Sequence, residues 1–284
     1  MITLIGDVAS DILVRVPGLL PAALVVGGDT PARIQTLPGG SAAGTAAWLA
    51  STHTAVRLIA SIGRDRAGED LRAVLERHGV ETRFQDHDAP TSAIVVLVDD
   101  SGERSMLPEP GANALLSPNW CRDNIGGTHL HLSGYTLYRE GTRSAAVTAI
   151  ETARSTGMTT SIDLNSHGLV RENAHHVIEL LPQIDIVLAN RLEYAALGEP
   201  EMSDTIVVVT SGANGVRWVG AERSGHAPAI STYVVDTVGA GDAFAAGFLS
   251  AWVVDRDIPR AVRAGVTLAA ECVARVGAGP HATD

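Results

Sequence analysis

The sequence contains no lysine; the 21 basic residues among its 284 are all arginine. That absence removes three chemistries. A P-loop needs a lysine on its phosphates, a Schiff-base enzyme needs a nucleophilic amine, and a protein-kinase fold needs its strand lysine. Cysteine is scarce as well. Cys121 and Cys272 have no metal-type spacing partner and are too few for a disulfide framework. A reducing, cytoplasmic setting is the expectation. No stretch approaches the roughly 18 uninterrupted apolar residues of a membrane span. The opening MITLIGDVASDILVRV has no basic segment and is broken early by acidic residues, so no secretory signal is expected. Fixed-period repeats and low-complexity segments are also missing. The net charge of −11 argues against a nucleic-acid or membrane-surface partner. Anionic small substrates stay open, because a local loop can still present donors.

What is present is an alternation of short β-branched runs with helical stretches. Residues 2–7, 56–63, 128–134, 159–165, 184–190, 205–212 and 215–220 read as strands bounded by Gly, Asp or Asn. Between them 41–51, 67–79, 142–157 and 173–183 read as helices. Such alternation builds an α/β fold with a mostly parallel sheet covered on both faces. Two regions, 12–40 and 91–113, carry strand-like runs, prolines and turns without helices. They are expected to form a small β lid inserted into a single domain spanning 1–284, and a closing lid excludes water from a reaction.

The stretch DTVGAGDAF at 236–244 concentrates the chemistry. A strand is expected at 230–235. Residues 243–254 are apolar all round, which predicts a buried helix. The glycines fall at its N-terminus, where unpaired amides and the helix dipole favour an anion such as phosphate. Gly239 and Gly241 let the backbone come close to a ligand. Asp242 would repel a phosphate unless it takes the proton from an attacking hydroxyl. An anion hole beside a general base is the minimum for phosphoryl transfer to an alcohol. The plain alternative is a helix N-terminal Asp favoured by the dipole alone. Gly239-x-Gly241 also begins a dinucleotide-binding fingerprint, but more helix follows where a second strand with an acidic residue is required, which argues against that reading.

VVDTVGAGDAFAAGF resembles the C-terminal signature of the ribokinase (PfkB) family of carbohydrate kinases, and PGGSAAGTAAWLA at 38–50 resembles its N-terminal signature. GDVASD (6–11), IGRDRAGEDL (62–71), GERSMLPEPGAN (102–113), NRLE (190–193) and TSGANG (210–215) are similar to further family motifs, in the family's order. The resemblance covers nearly the whole chain. It implies a ribokinase-like three-layer sandwich and an ATP-dependent kinase acting on a hydroxymethyl group of a sugar or sugar-like molecule. By that resemblance Asp242 is the base, and the amides of Gly239, Ala240 and Gly241 hold the transferring phosphoryl group. Asp11, at the end of the first strand, binds substrate with Gly39 and Gly40. Asn190 and Glu193 organise Mg²⁺ through waters, and Thr210, Gly212 and Gly215 line the ATP site. Asp236 lies near a monovalent cation, K⁺ in many members.

One position departs from the family pattern: Gly44 stands where an Asn that contacts substrate hydroxyls is usual. Either the substrate lacks that hydroxyl, or it is larger, or another residue substitutes. The alternatives carried are a nucleoside kinase with an adenosine-, pseudouridine- or inosine-like substrate, and a non-catalytic sugar or nucleotide sensor. A nucleoside base needs an apolar or aromatic slot, yet aromatics are only 4% of the chain. That scarcity favours a plain sugar, and a phosphosugar needs a cationic pocket, for which the lid offers only Arg15, Arg33 and Arg104. Asp163 and Asn165 end a strand at the same edge, where they could touch ligand. His129 and His131, alternate residues of one strand, are expected to be packed core histidines, and the lid edge could pair with a second subunit.

Overall fold

The computed structural model describes residues 1–202, 204–220 and 223–280. Strand β1 (Ile2–Ile5) leads into β2 (Ala9–Arg15) and β3 (Arg33–Gly39), then α1 (Ser41–Ser51). β4 (Val56–Gly63), α2 (Arg66–Arg77) and β5 (Glu81–His87) follow, then β6 (Ala93–Val98) and β7 (Arg104–Glu109). Next come α3 (Pro118–Asn124), β8 (His129–Ser133), α4 (Gly134–Tyr138), α5 (Glu140–Ser155), β9 (Thr159–Asp163) and α6 (His167–Leu180). β10 (Ile186–Asn190), α7 (Arg191–Ala196), β11 (Ile206–Thr210), β12 (Val216–Val219), β13 (Ser224–Ala227), α8 (Ala240–Asp255) and α9 (Ile258–Val273) complete the described strands and α-helices.

Nine strands form one sheet in the order β13-β12-β11-β10-β9-β8-β1-β4-β5, parallel from β11 to β5, with β12 and β13 antiparallel at one edge. Its inner parallel strands β1, β4, β8, β10 and β11 are buried on both faces, as a doubly covered sheet requires. In β1, Ile2 and Leu4 pack into one core and Ile5 into the other. Helices α1, α2, α8 and α9 cover the first face, and α3 to α7 the second, which is the expected three-layer sandwich. The uniformly apolar α8 is buried against α1 and α9. Along it Phe244, Phe248 and Trp252 stack at centroid spacings of 6.2 and 6.1 Å.

The chain builds outward from β1 through β4 and β5, then returns to β8 on the other side of β1. That reversal opens a crevice at the carboxyl ends of β1 and β8, the place where open α/β sheets bind ligands. Over it lies a separate four-stranded sheet, β3-β2-β6-β7, the small β lid. Each of its hairpins is antiparallel, and the two are joined by parallel pairing of β2 with β6.

Two expectations are corrected. Asp11 does not end the first strand; β1 stops at Ile5, and Asp11 is the third residue of lid strand β2. Residues 230–235 form no strand. The last strand is β13, and the later extended run carries exposed Ile230, Tyr233, Val234 and Val235, with the amides of Val235 and Asp236 both donating to the Val273 carbonyl at the end of α9. β-Branched composition specifies extended backbone, but pairing also needs an open strand edge within reach. Among the described residues no helix is long and apolar enough to cross a membrane.

Candidate active site

Five neighbouring strands deliver polar residues to the same edge of the sheet. Asp7 follows β1, Ser133 ends β8, Asp163 ends β9, Asn190 ends β10 and Thr210 ends β11. Register places Ser133 beside Asp163 and Asn190 beside Thr210. The N-terminus of α8 enters this edge from the covering layer. Gly239 caps it in the left-handed conformation (φ 78°), and a side chain there would drive a Cβ to 2.5 Å from the Ala278 carbonyl. Amides in the first turn of a helix have no acceptor within it. That of Ala240 lies 3.4 Å from the Thr237 carbonyl, a long contact. Between α8 and the strand ends is a cavity of about 260 Å³ lined by Ser41, Tyr135, Asp163, Asn165, Leu188, Ala189, Asn190, Glu193, Thr210, Gly239, Gly241, Asp242 and Phe244.

Asp242 is half-buried against this cavity and held by α1. Ser41 Oγ donates to its Oδ1 at 2.6 Å, with Thr45 Oγ1 at 3.4 Å. Ser41 Oγ in turn accepts from Asn165 Nδ2 at 2.9 Å. Asn165 is fixed by its Oδ1, which accepts from Ser133 Oγ (3.0 Å) and the Gly134 amide (2.9 Å). The Ser41 amide donates to Asp7 Oδ2 at 2.9 Å. Burial pushes the Asp242 carboxyl up to about 7; the Ser41 hydrogen bond opposes this, and the charges of Asp7 and Asp11 reinforce it. Gly44 faces the same carboxylate. A Cβ at 44 would sit 2.9 Å from Asp242 Oδ2, so the missing side chain is the room in which the Asp242 carboxylate stands.

Asp11 reaches the site from the lid. Burial, and then the charge of Asp7, raise its carboxyl to about 6. Its Oδ1 is buried and has no hydrogen-bond partner among the described residues. Gly39 lies directly against it, leaving no space for a side chain. Gly40 caps α1 at φ 95°, where a Cβ would press on the Asp7 carbonyl at 2.6 Å.

At the far end, Asn190 and Glu193 form a capping box for α7. Asn190 Oδ1 accepts from the amides of Leu192 and Glu193 (2.9 and 3.0 Å), while both Glu193 oxygens accept from Asn190 N and Nδ2 at 2.7 Å. Burial raises Glu193, and burial with the charges of Glu193 and Asp242 raises Asp163 well above the usual carboxylate range. No basic side chain lines the cavity. Among the described residues no three ligating side chains converge closely enough to hold a metal by themselves. This donor set fits Mg²⁺, which keeps most of its waters and takes few protein carboxylates. Gly212 (φ 54°) and Gly215 (φ 79°) shape the turn after β11, outside the cavity lining.

Asp236 does not fit a monovalent cation. Its Oδ1 accepts from the Val238 amide at 3.0 Å and from lid Arg104 Nη2 at 2.8 Å, and its Oδ2 from the Gly277 amide at 3.3 Å. Burial raises this carboxyl, but those two amides and the Arg104 guanidinium outweigh it and hold it below its usual range.

A sequence profile described as pfkB family carbohydrate kinase matches residues 1–284. The chain belongs to that family. This pfkB-family carbohydrate kinase is 34% identical over 285 residues to the ATP-dependent ribose-1-phosphate kinase of Halopiger xanaduensis, covering 96% of this chain and 92% of that one. It is 29% identical over 232 residues to the fructokinase of Vibrio alginolyticus, covering 75% of this chain and 76% of that one. Its fold matches the crystal structure of adenosine kinase from Sinorhizobium meliloti with a TM-score of 0.84 at 25% identity, covering 98% of this chain and 95% of that chain.

In this kinase Asp242, Gly239, Gly241, Asn190, Glu193 and Thr210 share one cavity, with Asp11 and Gly39 approaching from the lid and Gly40 and Gly44 from the start of α1. Ser41, Asp7 and Tyr135 were not singled out by sequence reasoning. Ser41 lies within PGGSAAG, where the glycines are the stronger local signal, and Tyr135 carries no local motif.

Proposed function

We propose that this kinase transfers the γ-phosphoryl group of ATP, the donor its family membership implies, to a hydroxymethyl oxygen of a sugar or sugar-like acceptor, with Asp242 as the general base. The observation carrying this reading is a carboxylate raised to about 7 directly beside the open first turn of α8. A base with that pKa is poised near neutral pH. As the hydroxyl attacks in line, Asp242 takes its proton, and the amides of Gly239, Ala240 and Gly241 meet charge developing on the phosphoryl oxygens. The orphaned Oδ1 of Asp11 accepts from an acceptor hydroxyl, with Gly39 and Gly40 leaving space for the sugar. Thr210 and the Gly212–Gly215 turn border the nucleotide. Asn190, Glu193 and Asp163 would hold the waters of a magnesium ion, which when bound neutralises phosphate charge.

A phosphorylated sugar is favoured as acceptor by one feature of the lid. Arg33 lies opposite Arg15, Arg15 beside Val98, and Val98 opposite Arg104, so Arg33 and Arg15 stand in one row across the sheet, with Arg104, whose charge Asp236 takes up, at its other end. Side chains alternate along a strand, so Arg15 shares the face of Asp11, four residues away. A phosphate at the end of the acceptor away from its reacting hydroxyl would meet that row. The relative named a ribose-1-phosphate kinase agrees with this choice.

The test is ADP release from Mg·ATP across ribose, fructose, ribose 1-phosphate and nucleosides, with Asp242→Asn alongside. Turnover confined to sugar phosphates supports the full reading. Turnover confined to nucleosides replaces the acceptor, and undiminished turnover in Asp242→Asn removes the base.

A further inference from the structure

We infer that Arg104 is a tethered cation for the phosphate-binding loop, its guanidinium standing where the family resemblance places a free monovalent ion. Lid position, rather than potassium, then sets the loop that carries the α8 amides. The inference rests on the reading of α8 as the phosphoryl site.

Asp236 begins the loop that ends at Gly239. Through its two oxygens it joins three segments distant in sequence: the loop itself at the Val238 amide, the 275–279 segment at the Gly277 amide, and the lid at Arg104. The 275–279 segment is the bed on which the loop lies. Ala278 blocks any side chain at Gly239, and its carbonyl accepts from Trp48 Nε1 at 2.8 Å. Cys272 Sγ approaches the Val238 carbonyl at 3.4 Å. An anion at Asp236 is therefore built into the underside of the loop, and it needs a positive partner.

That partner is present. The Arg104–Asp236 pair is largely withdrawn from solvent, with the two side chains 28% and 14% exposed. An alkali cation needs a cage of oxygen lone pairs, whereas every contact to this carboxylate is an N–H donor. A guanidinium at hydrogen-bond distance would also repel a second cation placed there. Arginine suits the task because it stays charged and presents a rigid planar fork.

Arg104 starts β7, and the lid register puts it on the face that carries Asp11. One four-stranded sheet therefore holds both the acceptor-facing carboxylate and the cation that pins the loop. A shift of the lid that moves Asp11 also moves Arg104. Substrate engagement and loop geometry are coupled through a single sheet.

The experiment measures turnover at saturating Mg·ATP in KCl, NaCl and tetramethylammonium chloride at equal ionic strength, for wild type, Arg104→Gln and Arg104→Lys. Wild-type rates are expected to agree within about twofold across the salts. Arg104→Gln is expected to lose about tenfold to a hundredfold in kcat, the scale of one charged hydrogen bond, with a smaller change in acceptor KM. Potassium should recover several-fold of that loss and tetramethylammonium none. Arg104→Lys should fall between the two proteins without responding to potassium. Activation of wild type by potassium of about tenfold or more would overturn the inference. So would wild-type rates in Arg104→Gln, or equal, salt-insensitive losses in both variants, which would mark a structural role only. If no acceptor turns over in any salt, the kinase reading of the loop has failed; Mg·ATP affinity by calorimetry in the same salts then decides the cation assignment, which stands only if potassium strengthens binding in Arg104→Gln and not in wild type.

Discussion

A methyl group at position 44 would meet Asp242 Oδ2 at 2.9 Å, and Ser41 already fixes the other oxygen at 2.6 Å. Asp242 is therefore framed from two sides by one helix. Gly44→Ala should displace the carboxylate by a few tenths of an ångström. We expect kcat to fall by about tenfold to a hundredfold with little change in thermal stability, read by steady-state kinetics and thermal denaturation together. Asp242→Asn removes the base and should lower kcat by roughly 10²–10⁴-fold while Mg·ATP binding, followed by calorimetry, is retained. The pH profile has a definite sign. Asp242 must be ionised to accept a proton, so kcat/KM should drop as pH falls through about 7. Ser41→Ala removes a hydrogen bond that favours the charged form, so its acid limb should move to higher pH by about half a unit or more. A limb that stays in place would mean Ser41 does not act on the base. None of the partners in this frame was visible locally: Ser41 and Asp242 are separated by 201 residues, and Asn165 from Ser41 by 124.

The lid and α8 are the elements that differ most in how far sequence revealed them. An all-apolar segment preceded by glycines could only be a buried helix with an open N-terminus, and α8 is that helix. The lid strands were legible from turns and alternation, but their register was not. Pairing β2 with β6 in parallel is what lines up Arg33, Arg15 and Arg104 in one row. The expected consequence is selective. Arg15→Ala with Arg33→Ala should raise KM for a sugar phosphate by about tenfold or more and leave the KM of its unphosphorylated counterpart within about twofold, because the charges act only on an anion. Equal effects on both acceptors would detach the row from specificity. Residues 230–235 failed as a strand for the same reason the lid register was hidden: pairing is decided by which edges remain open after the sheet assembles.

Across the whole molecule, acidic groups crowd one crevice of a protein with net charge −11. Asp242 rises from 3.8 to about 7 in the folded state, and Asp163 rises with it. The folded state then binds more protons than the unfolded chain, so these groups make stability fall as pH rises through their folded pKa. His129 and His131 act in the opposite sense. Burial against Thr159 and Ser161 lowers both to about 3, so they cost stability as pH falls below 6.5, where the unfolded chain takes up protons first. Above pH 6.5 the two effects oppose and nearly cancel, because the unfolded histidines still bind protons there, so Asp242 is isolated by comparing wild type with Asp242→Asn, which keeps both histidines. Between pH 6.5 and 8 the wild-type melting temperature should decline relative to that of the variant by about 2 °C, corresponding to about 1 kcal/mol. Parallel slopes in the two proteins would show that Asp242 is already ionised at pH 6.5.

By itself the sequence determined the layers and one end of the site. Apolar runs of strand length alternating with amphipathic or apolar helices must bury their faces against one another. A glycine-rich approach to a buried helix leaves amides open whatever the rest of the chain does. Only the tertiary structure decided which carboxylates meet, which cation answers Asp236 and why position 44 is empty. Arg104 and Asp236 are 132 residues apart, and the force between them depends on distance and burial in space. Neither quantity exists until the lid, the strand ends and α8 have been brought to the same edge of the sheet.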